Sequence, residues 1–457
     1  MAELKRAVGF PKLLIYAIGV IFGAGIYAII GEAAGIAGPS LWLSFLFAAL
    51  IASLTGLSYA ELASIKPITA AEYYYVKQSF NKRFAFLIGW IINIVNTIAI
   101  ATVAVGFSSY FVALFFPEDL GTVLFGFSFL IITPAVFIAM MAILAMALIN
   151  YIGIGQSASI NVVLTLVETA GLLLIIAIGL VYFGNGGAAP NLLEMPFGFS
   201  GLFGAVALVF FAYIGFESLA NLGEEVIEPK RSIPKAIVYS MIITSVVYVL
   251  LAIVAISVVP WNELGSSPEP LTAVAEVVLG SEAGVLLSFI ALFATVNTVL
   301  IMITTNSRFL YGMAKDNILP SFLKIVSEKR RTPFNAIIVV ATVSCLFVLV
   351  KDIGTLAEMT TLGVFVVFAM INASLIKMRI KDDLPEDRFK SPVNIGKFPL
   401  LAFLGFVSCI WMVSTFLIKF TPEGISVDIS NPALILLIIE IITGFIAYEL
   451  MKEKIHR

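Results

Sequence analysis

Apolar positions in this chain run on well past what a half-buried helix of a soluble protein needs, and short polar clusters cut them into stretches of membrane-crossing length. A bilayer core takes about twenty helical residues to cross. On that measure the pattern predicts twelve helices, near 10–36, 40–64, 84–116, 123–150, 156–183, 199–223, 234–260, 283–311, 334–350, 355–377, 398–419 and 431–451. The cuts fall at turn-forming clusters: Phe116-Pro117-Glu118-Asp119, Asn185-Gly186-Gly187, Ser266-Ser267-Pro268-Glu269-Pro270 and Thr421-Pro422-Glu423-Gly424. Membrane β-strands alternate over about ten residues, and these runs are longer and continuous. The expected fold is an all-α integral membrane protein.

Two runs carry interruptions that lipid should forbid. The first holds Gly19-Val20-Ile21-Phe22-Gly23-Ala24-Gly25-Ile26-Tyr27, and the sixth holds Phe210-Phe211-Ala212-Tyr213-Ile214-Gly215-Phe216-Glu217. A helix broken inside the bilayer is tolerated only where protein or a polar cavity satisfies the freed backbone groups. Breaks at matching places in two halves of a chain point to a transporter's central site. Small residues in membrane helices also serve plain close packing.

Composition changes little but excludes much. Residues are 60% hydrophobic and 12% charged, about half the charged fraction of a soluble domain. The apolar run at the start outlasts a signal-peptide core and reads as a retained span. Cys345 and Cys409 lie in apolar runs and read as packing residues, and with His456 as the single histidine no His/Cys metal site can be assembled. Charge placement is more telling. With the N-terminus inside, every one of the 27 Lys and Arg except Lys351 and Lys419 falls on the inner side, which predicts a multi-pass protein with both termini cytoplasmic. Basic and aromatic residues do not interleave as nucleic-acid binding would need.

At this point the chain resembles the amino acid–polyamine–organocation transporter family, across spans 1 to 10. The first span carries Gly23-Ala24-Gly25-Ile26-Tyr27, then Gly31 and Ala37-Gly38-Pro39. Span 2 ends Ser58-Tyr59-Ala60-Glu61-Leu62-Ala63, then Pro67. Span 6 carries Phe211 to Glu217, followed by Glu224-Glu225-Val226-Ile227-Glu228-Pro229 and Ser232-Ile233-Pro234-Lys235-Ala236-Ile237. Span 8 runs out into Ser307-Arg308-Phe309-Leu310-Tyr311-Gly312-Met313-Ala314-Lys315-Asp316-Asn317, and Thr332-Pro333 opens span 9. The resemblance implies a LeuT-like core of two inverted five-span repeats with discontinuous helices 1 and 6. The repeats are expected at 1–183 and 184–380, with peripheral spans 11 and 12 in 381–457.

The resemblance also implies the site. Gly23, Ala24, Gly25 and Ile26 would let a substrate carboxylate approach amides at a helix start, where the partial charge is positive. Carbonyls around Phe211, Ala212, Tyr213 and Gly215 would receive its ammonium, with Phe211 as the gate candidate. The expected function is secondary active amino-acid transport by alternating access in the cell membrane, with no cofactor and with protons favoured over sodium. The partners expected are an amino acid and the bilayer, with no nucleic acid, and the protein is a monomer or homodimer. Polyamines, other amines or organic anions remain open as substrates, as does a non-transporting amino-acid sensor. An enzyme pairing Glu168 with Glu217 is disfavoured, because no nucleophile, metal or phosphate-cradling motif accompanies them.

Two departures from the family pattern stand out. A Gly-Gly pair after span 2 is replaced by Ala70-Ala71, before Glu72-Tyr73-Tyr74-Tyr75. In span 5, where proton-coupled relatives often have lysine, this chain has Glu168. A mid-membrane acid is functional by default, so Glu168 is the candidate coupling residue, with Thr295, Asn297 and Thr298 as neighbours. Its alternative is a protonated acid fixing packing. Glu217 is expected to organise the unwound backbone. Glu61, Glu224, Glu225 and Arg308 lie near the inner face and resemble an inner-gate charge network, and Glu32 and Glu440 are nominally intramembrane as well.

Overall fold

The computed structural model describes residues 6, 8–116, 125–127, 130–267, 269–350, 353–381, 384–421, 424–427 and 431–455. The expected loop residues 117–119, 422 and 423, Pro268, Lys351 and His456 lie outside them. Fifteen α-helices appear among the described residues. They are α1 (Phe10–Ala37), α2 (Leu41–Ile65), α3 (Ala71–Ser79), α4 (Lys82–Phe115), α5 (Pro134–Ile152), α6 (Ile154–Gly184), α7 (Gly198–Val209) and α8 (Pro229–Val258). Then follow α9 (Trp261–Ser266), α10 (Pro270–Leu279), α11 (Ser281–Lys315), α12 (Phe334–Phe347), α13 (Ile353–Lys381), α14 (Leu400–Leu417) and α15 (Pro432–Ile455).

Eleven runs are long and apolar enough to cross a membrane, one of them continuing from Ile29 through α2 to Ile65. The expected ninth span is the shorter apolar helix Phe334–Val350, which sits at the lower limit of spanning length. Proline punctuates the starts: Pro134, Pro229, Pro270 and Pro432 open their helices, where the missing N–H costs nothing. This corrects the fourth span, expected from residue 123. Its helix begins at Pro134, whose entry Thr133 caps by accepting the Val136 N–H. Residues 125–127 pair instead with 130–132 as a small antiparallel hairpin. Two further hairpins, Asn394–Ile395 with Phe398–Pro399 and Ile418–Thr421 with Gly424–Val427, also qualify the all-α expectation.

α1 runs through the middle, packed against α6, α7, α8 and α11. α11 is the most enclosed long helix, with 78% of its apolar window buried, against 28% and 22% for α14 and α15. The last two helices therefore lie at the periphery. Large side chains such as Leu173, Leu180, Ile242, Val246 and Leu346 face outward, as lipid contact requires.

One contact ties distant parts of the backbone. Val8 pairs with Val226 as a parallel bridge, the Val8 N–H donating to the Glu225 carbonyl (3.1 Å) and the Ile227 N–H to the Val8 carbonyl (2.8 Å).

Candidate functional site

Both expected interruptions are present as backbone geometry. In α1 the chain leaves helical angles at Gly23 (φ 12°, ψ −165°). α7 stops at Val209, and a tighter turn covers Phe210–Tyr213. Ile214 is then extended (φ −65°, ψ 137°), Gly215 takes φ +135°, and a second tight turn spans Phe216–Leu222. That angle at Gly215 suits glycine alone. A Cβ there would also stand 3.0 Å from the Val20 carbonyl oxygen.

The two breaks touch. A Cβ on Gly25 would lie 2.6 Å from the Ala212 Cα and 3.1 Å from its Cβ, so only glycine at 25 lets the segments meet backbone to backbone. Ile26, Phe211 and Tyr213 are buried beside them, and the Tyr213 hydroxyl donates to the Phe45 carbonyl (3.1 Å). The Ala24 side chain lies outside the described ones. At the second break the Gly215 N–H would bond the Ala212 carbonyl if the tight turn continued. It donates instead to Glu217 Oε2 at 2.8 Å, which leaves the Ala212 carbonyl for another donor. That donor is Tyr248 of α8, whose hydroxyl stands 3.2 Å from the Ala212 oxygen, 3.0 Å from the Phe22 oxygen and within hydrogen-bond distance of the Ile21 oxygen. In an unbroken helix the last two would accept from residues 25 and 26, beyond the Gly23 break.

Glu168 is fully buried on α6. Asn297 lies beside it, yet neither carboxyl oxygen reaches a partner at hydrogen-bond geometry among the described residues. The Tyr27 hydroxyl, in electrostatic reach of Glu168, is likewise unpartnered. Asn161, two turns earlier on α6, donates to Asn297 Oδ1 (2.9 Å), and Asn297 donates to Thr165 Oγ1, one turn earlier (3.1 Å). Thr298 presses on Gly23, its Cγ2 standing 3.1 Å from where a Cβ would be. Thr295 instead bonds carbonyls of its own helix, Ala291 (2.8 Å) and Leu292 (3.0 Å).

The residues expected at the inner gate fall into two groups, one around Glu61 and one around the adjacent Glu224 and Glu225. Glu61 is held by Arg379, by Arg388 (3.1 Å) and by the Ser391 N–H (3.0 Å), partners more than 300 residues away. Arg308, fully buried, pairs with Glu225 at 3.7 Å and donates to Asn150 at 3.1 Å. Glu224 meets Lys315 (3.3 Å) and Thr69 (2.9 Å) near the surface. Glu32, expected within the membrane, is exposed, whereas Glu440 is buried.

Sequence reading missed Glu72 on α3. It is fully buried, accepts from Tyr59 (3.2 Å) and Asn221 (3.1 Å), and burial pushes its carboxyl up to about 7. The Ala70 substitution falls where the backbone is left-handed (φ 54°, ψ 48°), which is why glycine belongs there. Among the described residues no group of three His, Cys, Asp or Glu stands together to hold a metal ion.

Similarity agrees with this architecture. The branched-chain amino acid permease BcaP of Bacillus subtilis (strain 168) is 30% identical over 422 residues, covering 90% of this chain and 88% of its own length. A methylthioribose transporter of the same organism is 29% identical over 425 residues, with the same coverage. The mitochondrial cationic amino acid transporter 3 of Arabidopsis thaliana is 29% identical over 403 residues, 86% of this chain and 65% of that protein. The amino acid permease family model matches residues 8–445, nearly the whole chain, so the chain belongs to the amino acid permease family of membrane transporters.

Proposed function

We propose that this protein is a secondary active transporter that carries amino acids across the cell membrane by alternating access, with both termini in the cytoplasm. The observation that carries the reading is the contact of Gly25 with Ala212, where two helix breaks converge inside the apolar core. Freed amides after Gly23 offer positive partial charge to a carboxylate, and the carbonyls of Ile21, Phe22 and Ala212 offer negative charge to an ammonium. This arrangement reads the groups common to all amino acids. The family's twelve-span, inverted-repeat architecture fits the order of helices, with Phe334–Val350 as the ninth span.

Proton coupling through Glu168 belongs to the same reading. Glu168 is a fully buried acid in mid-span, beside Asn297 and Tyr27, and such an intramembrane acid is functional by default. Glu217, bonded to the Gly215 N–H, shapes the second break and does not select a cationic side chain. The methylthioribose-transporter relative, matched over nine-tenths of this chain, supports a second reading in which a small thioether sugar is the cargo.

Reconstituted protein tests these readings together. Proteoliposomes are offered labelled amino acids, a polyamine and methylthioribose, with and without pH and sodium gradients. Amino-acid accumulation driven by a pH gradient is the expected result. Binding without accumulation indicates a sensor, and methylthioribose uptake alone the second reading.

A further inference from the structure

Tyr248 belongs to neither broken helix, yet its hydroxyl meets carbonyls from both, those of Ile21 and Phe22 at the first break and of Ala212 at the second. The side chain is fully buried. Its ring is held by Phe22, Phe45 and Tyr213, with centroids 5.9, 5.7 and 5.2 Å away. A phenol carries one proton. Three carbonyl oxygens therefore compete for this one hydroxyl proton, which can serve only one of them well at a time. A buried acceptor left short of a donor is costly.

The group that would satisfy all three is one with three N–H bonds and a positive charge, which is a primary ammonium. We infer that Tyr248 is a placeholder for the substrate's ammonium group: its hydroxyl fills the carbonyl cluster in the empty protein and yields it when the ammonium arrives. This rests on the reading of the two breaks as an amino-acid site. It adds a selectivity device, because a ligand must bring donors of its own to repay the loss of the tyrosine. A molecule with the same carboxylate and side chain but no amino group brings no donor to replace the hydroxyl, which therefore keeps its place on the carbonyls.

The test is Tyr248→Phe, which removes one oxygen and keeps the ring. Binding is measured in detergent by ligand-dependent melting, for each proteinogenic L-amino acid and for the des-amino carboxylic acid of the best binder. The empty variant melts lower than wild type. The amino acid binds it about five-fold tighter, the equivalent of one ordinary hydrogen bond no longer surrendered on binding. The des-amino acid gains nothing. Were Tyr248 only a structural tie, melting would fall equally with and without ligand; that result, or weaker amino-acid binding, or an equal gain for the des-amino acid, overturns the placeholder. If no amino acid stabilises even the wild type, the amino-acid reading itself fails, which is a different outcome from wild-type binding without the gain. For variant protein too unstable to purify, the same ratio is read in intact cells from the half-inhibiting concentrations of the two compounds.

Discussion

The contact between Gly25 and Ala212 gives the sharpest perturbation. An alanine at 25 would place its Cβ 2.6 Å from the Ala212 Cα, where carbon atoms rest at about 3.5–4.0 Å. The two segments must therefore part by about 1 Å. Overpacking of this kind costs roughly 1–3 kcal/mol. Alanine's better helix propensity returns up to about 1 kcal/mol, so the net loss of stability is modest. The functional loss should be larger, because the Ala212 carbonyl moves relative to the amides after Gly23. Misplacement of binding groups by about 1 Å costs on the order of a hundredfold. Gly25→Ala is thus expected to cut uptake by ten- to a hundredfold (about that range) while melting only a few degrees lower. Gly184→Ala serves as the control, since nothing lies within 4 Å of its Cβ. Wild-type uptake and melting in Gly25→Ala would refute the argument that these two backbones must touch.

Glu168→Gln keeps the shape of the unpartnered acid and removes its proton chemistry. Uptake that no longer responds to a pH gradient is expected, and an unchanged pH and sodium dependence would sink the coupling role. Glu72 has its carboxyl raised from 4.5 to about 7, so folding takes up a proton between those values. Its contribution is fully present below 4.5, declines as pH rises through the window, and leaves a cost of about 3 kcal/mol above it. Glu72→Gln should therefore gain on wild type from pH 5 to about 7 and level off above that in thermal melts, and parallel curves would count against this. Ala70→Gly relieves a left-handed position that costs alanine about 1–2 kcal/mol, less roughly 0.4–1 kcal/mol of extra chain entropy. A small rise in melting temperature is expected, and a fall would mean that Ala70 is not strained.

The breaks were legible because they are local: Gly23, Gly25 and Gly215 stand in apolar runs where small, flexible residues have no other strong reason to be. The helix starts were less so, since apolar residues 125–132 extend the run that Pro134 actually opens. What stayed hidden was whatever depends on partners far along the chain. Tyr248 reads as one more aromatic in a membrane helix until its 36- and 227-residue contacts are seen. Glu61 reads as an inner-face acid, and nothing nearby announces Arg379 or Arg388. Glu72 sits in a polar loop by pattern and is buried by tertiary packing. Ala70 was visible as a departure from the family pattern, but only its backbone angle explains why glycine is usual there.

The pairing of Val8 with Val226 has a mechanical consequence. Two backbone hydrogen bonds fasten the lead-in to α1 to the stretch just past the second break, on the same side of both interruptions. Any swing of the first half of α1 about Gly23 must drag Glu225 and Ile227 with it, or else give up those bonds. In such a swing the two segments on that side would turn together as one lever with two fulcra, Gly23 and the Ile214–Gly215 link. Glu225 lies on the fastened stretch and Arg308 on α11, so such a swing would also have to break or remake their ion pair.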